Sequence, residues 1–165
     1  QKDASLYNQA LDAYVTLAAT YPKSPLIADV MIRISEHFYK SENYKVAAQV
    51  GEKFQEKFGS DRRAAKMAFR VGQAHYKDKN YVKAAENFDK FVKLFREDAL
   101  ASDAMFWSGE SYRTAGNMKK AFEAYNKCRW DYPATEAAKY ARGRLALPEM
   151  LRQFEEASSG LDQKN

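Results

Sequence analysis

The side chains in this sequence that could do covalent, acid–base or metal chemistry are few and badly spaced for it. The 165 residues hold two histidines, His37 and His75, and one cysteine, Cys128. There is no His-x-x-x-His pair, no glycine-rich phosphate loop and no nucleophile elbow. Glu36 and the Glu155-Glu156 pair read as ordinary carboxylates on helix surfaces. A lone cysteine excludes an intrachain disulfide and a cysteine metal cluster. The expectation is a chain that is not an enzyme, with no cofactor, no metal and no small-molecule substrate. What remains are aromatic and arginine side chains, the types that dominate protein recognition.

Those side chains are positioned by a repeat. Ala47, Ala84 and Ala121 recur at 37-residue steps, as do Tyr7, Tyr44, Tyr81 and Met118, and Asn43, Asn80 and Asn117. Ser24, Asp61, Asp98 and Thr135 share another register, and Pro22, Gly59, Arg96 and Pro133 a third. Self-similarity at a fixed period signals stacked supersecondary units. Within each unit the apolar residues return every three or four positions, which is the period of a helix. Residues 3–23 read as an orphan second helix, followed by full repeats at 24–60, 61–97 and 98–134. Capping helices over 135–157, bent or ended at Pro148, and a tail at 158–165 complete one repeat domain spanning 1–157.

In each full repeat a helix A and a helix B are joined by a short polar turn: Ser41-Glu42-Asn43, Asp78-Lys79-Asn80 and Ala115-Gly116-Asn117. The A helices are expected over 25–40 and 62–77, and the B helices over 44–57 and 81–95. Ser24, Asp61, Asp98 and Thr135 each stand where a side-chain oxygen can accept from an orphan amide, with Pro25 at a first helical position. Cys128 falls where Leu17, Phe54 and Phe91 stand, so it is expected to be a small buried hydrophobe. His75 shares its register with Phe38 and Tyr112 and is expected in the core.

The unit resembles the tetratricopeptide repeat over nearly the whole chain. That family places a small residue and an aromatic three apart in helix A, then alanine, an aromatic, a small or apolar residue and proline through helix B. The matching residues are Gly109, Tyr112, Ala121, Tyr125, Cys128 and Pro133, and before them Gly72, His75, Ala84, Phe88, Phe91 and Arg96. In the first repeat they are Ser35, Phe38, Ala47, Gly51, Phe54 and Gly59. Arg96 and Gly59 depart from the proline, and the large residue that opens helix A is only Met31, Ala68 and Met105. The resemblance implies an all-α, right-handed superhelical solenoid of antiparallel helix pairs: three full repeats, a half repeat at the N-terminus and a C-terminal capping helix. The 37-residue period, with Tyr21-Pro22 and Tyr132-Pro133 at the junctions, is similar to the BamD and CpoB types of bacterial envelope protein. That similarity implies a bacterial periplasm or cell envelope, with the cytoplasm as the alternative. The first residue is Gln1 and no signal peptide is present, as expected of a processed form or of a piece excised from a longer chain.

The resemblance further implies that the A helices line a concave groove. Its candidate residues are Ile32, Arg33, Glu36 and Tyr39, then Phe69, Arg70, Gln73 and Tyr76, then Phe106, Trp107, Glu110 and Arg113. Tyr39, Tyr76 and Trp107 are assigned to the groove because they stand outside the apolar face that each helix needs for packing. Family members that clamp a chaperone's carboxyl terminus use Lys and Asn where Ile32, Phe69, Phe106, Glu36, Gln73 and Glu110 stand, so a carboxylate clamp is not expected. A protein or peptide partner, apolar with flanking charge, fits better. Two alternatives stand beside it. The net charge of +5 permits a surface for an anionic polymer such as nucleic acid or cell-wall material. No run exceeds three like charges, however, and no aromatic–basic signature of a nucleic-acid module occurs. The orphan first helix could also mediate self-association. No apolar run nears the roughly 18 residues that span a bilayer, so any membrane contact is indirect.

Overall fold

The computed structural model describes residues 26–152, together with 9, 13, 16, 17, 20, 21, 24 and 155. Most of the expected orphan helix, Pro25 and the tail lie outside the described residues. The chain divides into two compact units, Gln1–Asp78 and Lys79–Asn165. The first holds α1 (Leu26–Lys40), α2 (Tyr44–Phe58) and α3 (Ala64–Lys77). The second holds α4 (Tyr81–Leu94), α5 (Ala101–Thr114), α6 (Met118–Asp131) and α7 (Glu136–Leu145). Consecutive helices pack against each other within each unit, and α7 also touches α5. No helix among the described residues is long and apolar enough to cross a membrane.

Each helix buries the stripe that its sequence period specifies. Helix α1 sinks Ile27, Ala28, Met31, Ile34 and Ser35, which lie on one face at three- and four-residue steps. Ala47, Ala84 and Ala121 are at most 1 % exposed, so the register alanines sit at the tightest crossings. Glycine does the same at two places. A Cβ on Gly109 would stand 2.5 Å from the Tyr125 ring of α6, and one on Gly51 would collide with Val71 of α3. Helix α1 has Ser35 where α5 has Gly109, and the Ser35 hydroxyl donates to the Ala47 carbonyl at 3.1 Å.

The turns repeat as faithfully as the core. Glu42 (φ 62°), Lys79 (φ 61°) and Gly116 (φ 82°) occupy the left-handed region at one register. Only the third repeat has the residue that suits it. The Asn43 amide donates to Phe38 O, and the Asn117 amide to Tyr112 O, both at 2.8 Å. That six-to-one bond closes the A helix. The same asparagines then cap the next helix, accepting from the Val46 and Lys120 amides.

The entry to helix A departs from expectation at Asp61 and Asp98. Helices α3 and α5 begin at Ala64 and Ala101, three residues beyond each aspartate. Asp61 accepts from the Arg63 amide and Asp98 from the Leu100 amide, two residues on, while their carbonyls close a turn onto Ala64 and Ala101. The short carboxylate is satisfied by this local turn before helical geometry begins. Thr135 is a direct cap, accepting from the Ala138 amide at 3.2 Å, and the Ser24 hydroxyl accepts from the Leu26 amide at 3.3 Å. Helix α7 ends at Leu145, and the chain turns and resumes as a helix over 148–152, with Pro148 at its first position.

Candidate functional site

In the first unit the candidate site lies along α1 and α3. Ile32, Glu36 and Arg70 line one cleft with Arg63, Lys66 and Met67, a space of about 90 Å³. Ile32 and the buried Met67 give it an apolar floor. Charged groups on its walls are tied to one another. Arg70 pairs with Glu36 at 2.8 Å, and Arg63 holds both Asp61 and Asp29. The Arg63 guanidinium keeps the Asp61 carboxyl down at about 2. The Arg70 guanidinium also lies 5.8 Å from the centre of the Tyr39 ring. Arg33 is exposed, whereas Gln73 and Tyr76 are half-buried.

Two residues expected on the open face of this unit belong to its packing. Phe69 is only 9 % exposed. Tyr39 packs on the buried cluster of Ala47, Ala48 and Ala74 and meets the Tyr44 ring edge-on at 5.3 Å. Burial, reinforced by the neighbouring Tyr44, raises its hydroxyl pKa against the pull of Arg70. A small alanine cluster leaves room for a large ring at its margin, and Tyr39 fills it.

In the second unit the expected residues are Phe106, Trp107, Glu110 and Arg113, all on α5. The Phe106 ring contacts Trp107, Tyr125 and Tyr140, with centroids 5.9–6.1 Å apart. Glu110 is not a groove carboxylate open to a partner: it is 5 % exposed. Tyr125 donates to its Oε1 at 2.5 Å, Arg144 donates to the same oxygen at 2.6 Å, and Arg113 donates to Oε2 at 3.2 Å. Burial alone would raise the Glu110 pKa, yet the donors Arg144, Tyr125 and Arg113 outweigh it and hold the group below its ordinary value.

Arg144, Arg63 and Tyr140 stand outside the expected set, although one signal pointed to Arg144. The row Arg33–Arg70–Trp107 continues, one repeat on, to Arg144. Glu36–Arg70 and Glu110–Arg144 are then one motif used twice, a carboxylate reaching the arginine of the following A helix. Asp29–Arg63 has the same 34-residue separation.

The residues with chemical potential are structural. His75 is 6 % exposed and shares a 2.8 Å hydrogen bond with Glu52. Cys128 is fully buried near the Ser102 carbonyl, and burial pushes its thiol up to about 12, far from a reactive thiolate. Among the described residues, no three His, Cys, Asp or Glu side chains are grouped to hold a metal ion.

Comparison with known proteins agrees with this geometry. The tetratricopeptide repeat family model matches residues 103–135. No curated protein sequence matches the chain. Among solved structures, the N-terminal domain of stress-induced protein-1 from C. elegans superposes with a TM-score of 0.60 at 17% identity, over 73% of this chain and 98% of that one. MamA from Desulfovibrio magneticus gives 0.58 at 16% identity, over 99% and 96%. The TPR2AB domain of yeast Sti1, solved as a complex with pHSP90, gives 0.59 at 19% identity, over 84% and 51%. The fold is therefore the all-α helical-repeat solenoid of tetratricopeptide-repeat proteins, and the family model covers the one stretch 103–135.

Proposed function

We propose that this chain is a non-catalytic scaffold for protein–protein interaction whose A-helix faces hold a peptide or a partner helix. The observation that carries it is the α1–α3 cleft, where Ile32 and Met67 form an apolar floor between Lys66, Arg70 and Glu36. A space of about 90 Å³ admits one side chain and not a drug-sized ligand, which fills roughly 300–1,000 Å³. The paired charges fix the walls before a partner arrives, which lowers the ordering cost of binding. Arg33, Gln73 and Tyr76 extend the face in the first unit, and Phe106, Trp107 and Arg113 form its counterpart in the second. The solved yeast Sti1 domain, itself a complex with pHSP90, supports peptide capture on this architecture. A bacterial cell envelope is the location we infer, on the 37-residue period and the Tyr-Pro junctions.

The test is panning of a random-peptide display library against the chain, followed by binding to the variant Tyr76→Ala/Trp107→Ala. Selected peptides should lose at least tenfold in affinity to the variant while its circular dichroism is unchanged. Unchanged binding would refute the A-face assignment.

A further inference from the structure

Another cleft lies away from the candidate A-helix faces. It opens between the two B helices of the second unit, α4 and α6, over α5, and encloses about 270 Å³. Val92, Met105 and Ala124 supply its apolar surface. The register of Ala124 carries the bulkier Val50 and Asn87 in the other two repeats. Lys93 of α4 and Lys120 and Lys127 of α6 stand around it.

Two carboxylates also border the cleft. Asp89 accepts from the Ser108 hydroxyl at 2.5 Å and from the Tyr112 hydroxyl at 2.7 Å, one on each oxygen. Glu123 is the other. None of Lys93, Lys120, Lys127 and Glu123 forms an ion pair among the described residues. Both donors to Asp89 are neutral, so its charge remains, and three ammonium groups stand against two carboxylates, a balance of single positive sign that favours negative charge at the rim. Lys120 is also held in place, its ammonium 5.0 Å from the centre of the Tyr112 ring, a cation–π contact that fixes its charge beside the opening.

We propose that this cleft is a second docking site, for an acidic segment of a partner protein that inserts an apolar side chain onto Met105 and Ala124. An apolar floor beside three lysines favours that combination over an apolar segment alone or a basic one. An acidic segment without an anchor gains only screened, exposed charge pairs. A basic one meets Lys93, Lys120 and Lys127 at close range. The site is independent of the A-helix faces, and both can be occupied together.

The probes are blocked synthetic peptides, Ac-Glu-Glu-Phe-Glu-Glu-NH2 and its counterparts with lysine for glutamate or serine for phenylalanine. They are titrated into the labelled full chain while the methyl resonances of Met105 and Ala124 are followed. The acidic Phe peptide should shift both methyls saturably and bind at least tenfold more tightly than either counterpart. Lys120→Glu/Lys127→Glu should lose at least tenfold in affinity with circular dichroism unchanged, and Tyr76→Ala/Trp107→Ala should bind as wild type. Absence of methyl shifts, or equal binding by the lysine peptide, overturns the proposal. So does concentration dependence of the same methyls without peptide, which would assign the cleft to a second copy of the chain. Failure at this cleft with intact A-face capture leaves the scaffold function standing, and the reverse result separates the two equally well.

Discussion

The same register position does different work in the two units. Glu36 in the first is a third exposed and pairs with Arg70 across the surface. Glu110 in the second is buried and receives Arg113, Arg144 and Tyr125. The cause lies one helix away, where the first repeat has Gly51 and the third has Tyr125. Gly51 leaves space that Val71 enters from α3. Tyr125 fills its own space with a ring that Gly109 admits, and its hydroxyl ends on the Glu110 carboxylate. One aromatic in place of a glycine thus turns a surface ion pair into a buried network.

The sharpest way to break that contrast is to remove the two carboxylates. Glu110→Ala should destabilise the chain by about 3 kcal/mol, the low end for a broken buried pair because Arg113 and Arg144 can reach water. Glu36→Ala should cost less than about 1 kcal/mol. Urea denaturation followed by circular dichroism measures both, and equal losses would erase the distinction. Next come the glycines. Gly109→Ala should cost about 1–3 kcal/mol by overpacking against Tyr125. Gly51→Ala should cost a similar amount, and Val71→Ala in the same chain should restore most of the tolerance at that site.

Acid should also separate the carboxylates. The Glu110 pKa is lowered by folding, so its contribution is present above the unfolded value and is lost as pH falls through the folded one. Stability should therefore drop below pH about 4, the ordinary glutamate range. Glu110→Gln should flatten that part of the profile in a pH series of thermal melts. The smallest effects are at the turns. Glu42→Gly should relieve a left-handed residue for a net gain of about 0.5 kcal/mol, and Gly116→Ala should lose about 1 kcal/mol.

The sequence made the periodic part of this molecule legible. The B-helix starts, the buried alanines and the core placement of Cys128 and His75 follow from spacing, because a helix converts spacing directly into a face. Partnership was harder to read. Tyr125 and Glu110 are 15 positions apart and meet only because Gly109 lets α5 and α6 close together. Tyr39 has the spacing of an open-face residue, yet a patch of alanines draws its ring inward. The aspartates at 61 and 98 read as helix caps, but the choice between capping a helix and closing a prior turn depends on backbone geometry that residue type leaves open.

The forward reach of Glu36 and Glu110 bears on how such an array can be edited. Each carboxylate belongs by sequence to one block and by bonding to the next. Deleting everything after Pro133 would leave the acid at 110 without Arg144, and grafting a foreign block there would require a cation at the matching place. Shuffling these modules therefore calls for splice points that carry each acid together with its downstream arginine.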